Sequence, residues 1–468
     1  MTASTTNTLS IPDLRAAVRG RVIAPDDSDY DEARTVMAGG IDRRPAVIVR
    51  VADVADVQHV IGLARTTGME LAVRCGGHSG LGHGVTEGGI VIDLRDLKAI
   101  EIDPERRTAW AEAGNTAREV TEAAAAQGLA VGFGDTGSVG IGGLTTGGGV
   151  GYFVRKDGLT IDNLLAAEIV TADGQLRFVD AVTEPELFWG IRGGGGNFGV
   201  VTRFLYRLHE LPSFVGGMLV LPATADTVAG FIAAAEAAPE ELSTIANVMP
   251  CPPMPNVPEE HHGKLVIMAF MAFAGDAEAG QREMEPFRAL ATPLADEVKP
   301  MPYPEIYPPD GDEPYHPTVV GFTMFVDRID GGVAETIVEH LNASDAPMRA
   351  AQLRVLGGAM ARVPRDATAF AHRASRIMAI GVAFYEGEEE RVVRQEWVER
   401  FAADLNQGVE GAYVNFVGDE GEEGVRAAYP GKTWDRLATL KARYDPTNLF
   451  RLNQNIPPAR AAAADGPG

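Results

Sequence analysis

The segment Arg74-Cys-Gly-Gly-His-Ser-Gly80 and the apolar run Gly89-Ile-Val-Ile-Asp-Leu94 are the most informative part of this sequence. Glycine concentrates again at Gly132–Gly151 and at Gly190–Gly199. Glycine clusters occur where a backbone takes positive φ or approaches a ligand closely, and their successive N–H groups form concave sites for a pyrophosphate. A single cluster is equally consistent with a tight turn. Three clusters in succession predict that the chain binds an extended ligand.

Short β-branched runs alternate with helical stretches around these glycine clusters. The predicted strands are Ala46–Val51, Leu71–Arg74, Ile90–Leu94 and Ile169–Thr171, and the predicted helices are Val54–Ala64 and Ala117–Gln127. Beyond Leu211 the predicted strands are Met218–Leu221, Leu265–Phe273, Thr323–Val326, Gln352–Val355 and Arg376–Phe384, with helices at Val333–Leu341 and Glu389–Leu405. In the last helix Val393, Trp397, Phe401 and Leu405 recur every four residues, which predicts one buried face. The second part therefore reads as a mostly antiparallel sheet covered by helices.

One motif within the second cluster points to a different fold. Gly132-Phe-Gly-Asp-Thr-Gly137 matches the G-x-G-x-x-G pattern of a dinucleotide-binding Rossmann turn. We reject this interpretation because the third glycine should open a helix, whereas Ser138–Gly151 is dense in glycine, a poor helix former. A ribose would also need an acidic residue at a strand end about twenty residues later. Asp157 has that spacing but lies in the loop-like Arg-Lys-Asp-Gly.

Length and composition limit the class of protein. A chain of 468 residues predicts two domains that share a cleft. The formal net charge of -24 argues against nucleic-acid and anionic-membrane partners, because their phosphates would be repelled. With only Cys75 and Cys251, a disulfide framework and a multi-cysteine metal site are excluded, and we predict no metal. Because the first residues show neither a basic start nor an apolar run, we expect a cytoplasmic protein.

The glycine segments and the C-terminus together resemble a known family. Arg74–Gly80 with Gly89–Leu94 is similar to the flavin-attachment segment of FAD-linked oxidases of the vanillyl-alcohol-oxidase superfamily. Two further segments, Gly134–Asn163 and Glu186–Gly199, are similar to its second and third signatures. Tyr413-Val-Asn-Phe416, Tyr444–Phe450 and Asn453-Gln-Asn455 resemble the closing module of the berberine-bridge-enzyme-like family, in a bacterial branch similar to 6-hydroxy-D-nicotine oxidase and oligosaccharide oxidases.

The resemblance implies an α+β fold in a set domain order. Residues 1–212 are expected to form a two-part PCMH-type FAD-binding domain with its core at about 42–212. Residues 213–411 are expected to form the substrate domain, a mostly antiparallel sheet covered by helices. Residues 412–456 would return to the FAD domain as the C-terminal module. The Pro/Ala/Gly-rich tail 457–468 is predicted to be disordered.

The resemblance also implies FAD carried by a single covalent link. In relatives, the histidine at the His78 position bonds through a ring nitrogen to the 8α-methyl carbon of the flavin; the alternative is a turn histidine that only hydrogen-bonds. Many members carry a second link from a cysteine, but the corresponding residue here is Thr136, and Cys75 is interpreted as a small buried residue. The other positions expected to contact FAD are Arg74, Gly76, Gly77, Ser79, Gly80, His83, Thr136, Gly137, Val139, Gly140, Gly142, Gly143, Gly149, Asn163, Asn453 and Asn455.

Three residues are candidates for catalysis. In relatives a tyrosine at the Tyr413 position often takes a proton from the substrate while a hydride moves to flavin N5. A phenol is protonated up to about pH 10, so Tyr413 needs a neighbouring cation or hydrogen bonds. The motif fits a strand with Tyr413 and Asn415 on one face and Val414 opposite, in which Tyr413 is alternatively a core aromatic. His372 is a second candidate for a base or a substrate-orienting group, with a structural role as the alternative.

The reaction implied is oxidation of a C–H next to an OH or NH of a small molecule: a sugar, a secondary-metabolite alcohol or a hydroxylated amine. In relatives a small residue at the Val139 position accompanies reaction with O2, which favours an oxidase that produces hydrogen peroxide. The alternatives are a dehydrogenase that passes electrons to a quinone or a protein, and an FAD-binding scaffold without turnover. Tyr303, Tyr307, Tyr315, Phe322 and Phe325 either stack a substrate ring or belong to an ordinary core. We expect a monomer or a homodimer.

Overall fold

The structure is a computed structural model that describes residues 9–309, 316–419 and 421–460. Strands before residue 211 build two small sheets and a two-stranded pair. They are β1 (Arg21–Ile23), β2 (Val47–Arg50), β3 (Leu71–Arg74), β4 (Ile90–Asp93), β5 (Ile100–Asp103), β6 (Thr108–Glu112), β7 (Leu129–Ala130), β8 (Leu164–Thr171), β9 (Leu176–Asp180), β10 (Gly199–Arg207) and β11 (His209–Glu210).

The first sheet has the order β1-β2-β4-β3, with β2 and β3 both parallel to β4. The second is antiparallel with the order β5-β6-β10-β8-β9, and β7 pairs with β11. The helices of this region are α1 (Ile11–Ala17), α2 (Tyr30–Arg34), α3 (Val54–Thr67), α4 (Ala117–Ala125), α5 (Ile141–Gly147), α6 (Val154–Asp157) and α7 (Pro185–Ile191), with a 3₁₀ helix at Thr160–Asn163. Helix α3 begins at Asp53, whose carboxylate accepts the Asp56 N–H, and ends at Gly68 in the left-handed conformation.

Helix α5 lies where the sequence predicted a poor helix former, so that part of the prediction is wrong. The helix begins after Gly140, and Ile141, Leu144 and Thr145 are buried. Thr146 Oγ1 donates back to the Gly142 carbonyl. Packing of its buried positions outweighs the low helix propensity of its glycines, which is worth only about 1 kcal/mol per residue. A Rossmann turn would need the helix to begin at Gly137, the third glycine of the pattern, but α5 begins four residues later, at Ile141.

The second part of the chain is one large antiparallel sheet with the order β15-β12-β14-β13-β18-β19-β17, in which β16 also pairs with β12. Its strands are β12 (Val215–Pro222), β13 (Leu242–Pro250), β14 (Leu265–Phe273), β15 (Ala295–Asp296), β16 (Lys299–Pro300), β17 (Val319–Val326), β18 (Arg349–Val355) and β19 (Ile377–Phe384). The remaining helices are α8 (Ala225–Ala237), α9 (Ala277–Arg288), α10 (Gly331–Ala343), α11 (Ala359–Arg362), α12 (Gly387–Leu405), α13 (Gly421–Ala428) and α14 (Lys432–Tyr444), with 3₁₀ helices at Glu259–His261, Tyr303–Ile306 and Val414–Phe416.

Alternation along these strands sends side chains to two different layers. Ala246, Leu353 and Ala379 pack against the helices that cover one face. Ile245 and Phe270 point the other way and join the core of the first part of the chain. The α+β class predicted from the sequence is confirmed, and the sheet lies between its helices and the glycine-rich region.

The buried face of α12 differs from the predicted one. Val393 is 54% exposed, whereas Trp397, Phe401 and Leu405 are buried together with Arg394. A step of four residues turns an α-helix by about 40° more than one full turn. A row of four such positions therefore winds around the helix, and its first member leaves the buried face.

The C-terminal segment returns to the first part of the chain through a buried lysine. Lys441 Nζ donates to Asp445, to the Asn197 carbonyl and to the Phe450 carbonyl. Ala459 N–H donates to the Ala438 carbonyl, so residues 457–460 of the tail predicted to be disordered lie against α14, and residues 461–468 lie outside the described residues. Among the helices described, none has the length and apolar character needed to cross a membrane.

A buried charge cluster holds the start of the first glycine loop. Arg74 at the end of β3 donates to Asp93 at the end of β4, at 2.8 Å, and to the Ala33 and Thr35 carbonyls. Burial by itself would raise the pKa of Asp93, but Arg74 and Arg95 hold it at about 2. Arg74, predicted as a cofactor contact, thus has its guanidinium engaged by the protein.

We predict that Asp93→Asn lowers the free energy of unfolding by about 3 kcal/mol or more, because it leaves the buried Arg74 cation without its counter-charge. Denaturant unfolding followed by circular dichroism measures this change. The exposed neighbour Asp96 is the control, and Asp96→Asn should change stability by less than about 0.5 kcal/mol. Equal stability of the two variants would contradict the role of the cluster.

Candidate active site

The first and second glycine loops touch backbone to backbone. A Cβ on Gly76 would lie 2.4 Å from the Gly140 nitrogen, and a Cβ on Gly140 would lie 2.3 Å from the Gly76 nitrogen. Only glycine at both positions allows this approach. The third loop joins them because the Gly193 and Gly195 N–H groups both donate to the Thr146 carbonyl in α5.

The three loops and the C-terminal segment enclose a cavity of about 430 Å³. The first loop contributes residues 74–81, the second contributes residues around Gly140, and the third contributes Gly195 and Gly196. Tyr413–Val417 and Phe450–Gln454 close the cavity from the C-terminal segment, although Arg451 is not part of its wall. Residues distant in sequence thus share one wall.

Tyr413 is buried at this wall with its hydroxyl oxygen between two donors. The Gly149 N–H lies 2.8 Å from Tyr413 Oη, and Asn415 Nδ2 lies 2.9 Å from it. Burial raises the pKa of Tyr413, while these two donors and the nearby Arg354 lower it, and burial prevails. A phenol oxygen that accepts two N–H hydrogen bonds is easier to deprotonate than one in an apolar environment.

The strand predicted for this motif is wrong. Val414–Phe416 is a 3₁₀ helix, and Tyr413 immediately before it has extended backbone angles. Tyr413 and Asn415 nevertheless meet, because the tight turn brings the amide back to the phenol oxygen. The close approach needs Gly147, since a Cβ there would lie 1.9 Å from Asn415 Oδ1.

A polar chain crosses from the large sheet to the second glycine loop. Gln352 Nε2 donates to Asn247 Oδ1 on the neighbouring strand, and Gln352 Oε1 accepts from Arg354 Nε. Arg354 in turn donates to Asp135 at 2.5 Å and to the Val150 carbonyl at 3.2 Å. Arg354 is buried, and its charge lowers the pKa of the Tyr413 phenol.

The first loop and the residues after it carry three ionisable side chains, His78, His83 and Cys75. His78 and His83 both line the cavity. Burial, together with the charge of Arg43, lowers the pKa of His83 to about 4, so its ring is neutral at pH 7. Burial raises the pKa of Cys75 to about 12, and a Cβ on Gly142 would lie 2.3 Å from its sulfur, so the thiol stays protonated under α5.

Comparison with known proteins agrees with this arrangement. The family model of the FAD binding domain matches residues 45–180, and the model described as berberine and berberine like matches residues 412–457. (R)-6-hydroxynicotine oxidase from Paenarthrobacter nicotinovorans is 30% identical over 455 residues, covering 94% of this chain and 97% of that protein. The uncharacterised FAD-linked oxidoreductase YvdP from Bacillus subtilis is 31% identical over 454 residues, covering 94% and 98%. This chain belongs to the berberine-bridge-enzyme-like family of FAD-linked oxidoreductases.

The fold agrees with that of a solved member. The structure of 6-hydroxy-D-nicotine oxidase from Arthrobacter nicotinovorans matches with a TM-score of 0.83 at 28% identity, over 96% of this chain and 99% of that one. The resemblance predicted from the glycine segments and the C-terminal motifs is therefore confirmed. The chain is an FAD-linked oxidoreductase of this family.

The cavity residues fit an FAD. Backbone from three glycine loops lines the wall, where N–H groups suit a pyrophosphate. Asn453 Oδ1 is a buried polar atom without a hydrogen-bond partner among the described residues, and Asn453 lines the cavity. A buried polar atom normally has a partner, so a ligand at this wall would supply one. The predicted FAD contacts in the cavity wall are Arg74, Gly76, Gly77, His78, Ser79, Gly80, His83, Thr136, Val139, Gly140, Gly142, Gly143 and Asn453.

Five predicted site residues are not in the cavity wall. Asn163 donates to the Asp157 and Leu159 carbonyls and pairs with His209. Gly149 serves Tyr413 through its N–H, and Gly137 lies against Arg118. Asn455 is likewise outside the wall, though its Oδ1 is buried without a partner in the described chain.

His372 is the fifth, and its surroundings are structural. It packs between Phe325 and Phe370, and its Nε2 lies 3.0 Å from the Ala428 carbonyl. Burial lowers its pKa to about 4, so the ring is neutral at pH 7. The predicted base role of His372 has no support in this position behind the cavity wall.

Sequence reasoning missed several wall residues. Asp135, Leu144 and Val150 lie beside predicted glycines, so their neighbours in the motif were the available signal. Leu452 likewise lies beside the predicted Asn453, whereas Met37 had no signal, because it comes from a segment without a motif. Arg354 was also missed, since its place on β18 becomes meaningful only when the sheet packs on the second loop.

Proposed function

We propose that the protein is an oxidase that carries FAD covalently on His78. It removes a hydride from a C–H next to an OH or NH of a small molecule, and O2 is reduced to hydrogen peroxide. The observation that carries this proposal is the presence of His78 and Tyr413 in the wall of one cavity formed by the three glycine loops. The flavin, when bound, supplies the hydride acceptor.

In this proposal the protein provides attachment, orientation and proton transfer. His78 holds the cofactor, and the backbone of the loops around Gly76 and Gly140 binds its phosphates. Tyr413 takes the substrate proton at its hydroxyl oxygen. Asn415 and the Gly149 N–H orient that oxygen and stabilise negative charge on it.

A single covalent link is consistent with the second loop. Thr136 lines the cavity at the position where other family members carry a cysteine, and a threonine forms no thioether. Cys75 is a protonated thiol packed against α5, so it lacks the thiolate that attachment would need. The first loop then contributes the only link through His78.

Two observations bear on the substrate. The relative from Paenarthrobacter nicotinovorans is an oxidase of (R)-6-hydroxynicotine, a small ring compound, which supports a small-molecule substrate here. Tyr303, Tyr307, Phe322 and Phe325 are buried core residues, so these rings present no stacking surface for a sugar, and Tyr315 lies outside the described residues. These rings therefore do not select among the proposed classes, which stay a sugar, a secondary-metabolite alcohol or a hydroxylated amine.

The link to His78 has a direct test. Wild-type protein denatured in acid should keep its flavin, seen as fluorescence of the band on a denaturing gel, and His78→Ala should lose it. His83→Ala is the matched control, because His83 lines the same cavity and should leave the link intact. Flavin that is released from the wild type would refute the covalent link.

The role of Tyr413 predicts a kinetic loss. Tyr413→Phe should slow flavin reduction by substrate by about 100-fold or more, the usual contribution of a general base. The wild-type rate should rise with pH towards the raised pKa of Tyr413, and this rise should vanish in the variant. Tyr429→Phe is the control, since that buried phenol donates to the Gly193 carbonyl away from the cavity wall. Stopped-flow absorbance measures both, and equal losses would rule out the base role.

The proposed electron acceptor, O2, is tested at Val139, a residue of the second loop that lines the cavity. We expect one hydrogen peroxide per substrate oxidised in air, and slower reoxidation by O2 in Val139→Leu with unchanged reduction by substrate. The dehydrogenase alternative instead predicts a reduced flavin that persists in air and turns over with a quinone. A protein that binds FAD but is reduced by no alcohol or amine would favour the scaffold alternative.

A further inference from the structure

Arg354 is a buried cation that reaches out of the large sheet to residues in the wall of the cofactor cavity. It comes from β18, yet it donates to Asp135 and to the Val150 carbonyl, which belong to the second glycine loop and the segment after α5. Gln352 Oε1 accepts from both its Nε and its Nη2. Four hydrogen bonds therefore hold the guanidinium in one orientation.

This orientation holds the guanidinium against residues that contact Tyr413. Val150, whose carbonyl Arg354 contacts, follows Gly149, whose N–H donates to Tyr413 Oη. The guanidinium carbon also lies 5.4 Å from the centre of the Phe416 ring, and that ring lies 5.0 Å from the Tyr413 ring in an edge-to-face arrangement. Through both contacts the positive charge lies close enough to lower the pKa of the Tyr413 phenol.

The other titratable groups around Tyr413 are neutral or paired. Tyr152 donates to the Asp135 carbonyl, and burial raises its pKa. Burial also raises the pKa of Tyr429, and His372 behind Phe370 is neutral. Beyond Phe370, Arg373 and Asp162 form a two-bonded ion pair. Among the described residues, Arg354 is thus the cation that acts on the phenol, and Asp135 is its counter-charge.

We propose that Arg354 is a positioning residue whose cation favours the negatively charged form of the Tyr413 oxygen, with Asp135 limiting that effect as its counter-charge. The inference rests on the proposed base role of Tyr413. In the reaction an O–H bond forms on Tyr413 as the substrate O–H or N–H bond breaks. The electron pair left behind forms the new C=O or C=N bond while the hydride leaves for the flavin.

A purely structural salt bridge predicts something different. Arg354→Met and Asp135→Asn break the same ion pair, so damage to packing would change both variants in the same direction. Electrostatic control predicts opposite directions. Loss of the cation makes Tyr413 harder to ionise, whereas loss of the carboxylate leaves the cation uncompensated and makes Tyr413 easier to ionise.

The test is carbon NMR of the holoenzyme containing tyrosine labelled at the ring carbon that bears the oxygen. The Tyr413 signal is identified by its absence in Tyr413→Phe, and its shift reports ionisation without any substrate. Over a titration into the alkaline range, Tyr413 should ionise at least about one pH unit earlier in Asp135→Asn than in Arg354→Met. Arg354→Lys keeps the positive charge, so the pH at which Tyr413 ionises should be nearer to that of the wild type. This variant controls for loss of the arginine side chain itself.

The pH profile of flavin reduction should follow the same order. Its rise should come earliest in Asp135→Asn and latest in Arg354→Met. If Tyr413 ionises no earlier in Asp135→Asn than in Arg354→Met, the proposal is overturned. If the NMR order holds but Tyr413→Phe reduces its flavin at the wild-type rate, Arg354 tunes the phenol as proposed and the base role of Tyr413 fails instead.

Discussion

The contact between Gly76 and Gly140 determines where the functional groups lie. Each residue would place a Cβ within 2.4 Å of the other's backbone nitrogen, so the first two loops can meet only as glycine on glycine. The Arg74–Asp93 pair holds one side of this contact, and the buried helix α5 begins directly after the other. At the end of α5, Gly147 packs against the Asn415 side chain, and Asn415 donates a hydrogen bond to Tyr413. A backbone contact without side chains therefore connects the attachment loop to the candidate base.

Buried arginines join the large sheet and its helices to this core. Arg155 donates to the Ala235, Ala238 and Leu242 carbonyls, and Arg373 makes two bonds to Asp162. Arg354 adds a third bridge at the cavity itself. An Arg guanidinium presents five donors in a fixed plane, so each residue fixes orientation as well as contact. Two parts of the chain with separate cores are in this way held in one geometry around the cavity.

Local patterns in the sequence predicted much of the framework. β3 was predicted with its observed ends, and the helix predicted at Val54–Ala64 extends only to Thr67, because strands and capped helices depend on neighbouring residues. Errors arose where distant packing decides the outcome. Helix α5 forms in spite of its glycines because most of its residues are buried. Val414–Phe416 forms a 3₁₀ turn in which Asn415 donates to Tyr413. Asn163 and His372, both candidates from the sequence, make internal hydrogen bonds.

The sequence by itself determined the family, the cofactor and the α+β architecture, because glycine loops and terminal motifs are contiguous runs whose chemistry is local. The tertiary structure alone decided which of those residues share a cavity wall. It also brought Arg354, from a strand with no motif, into contact with Asp135 and close enough to Tyr413 to act on its charge. These residues are 219 and 59 positions away along the chain (354 − 135 and 413 − 354). Electrostatic interactions depend on distance through space and on burial, and neither quantity can be read from the order of residues.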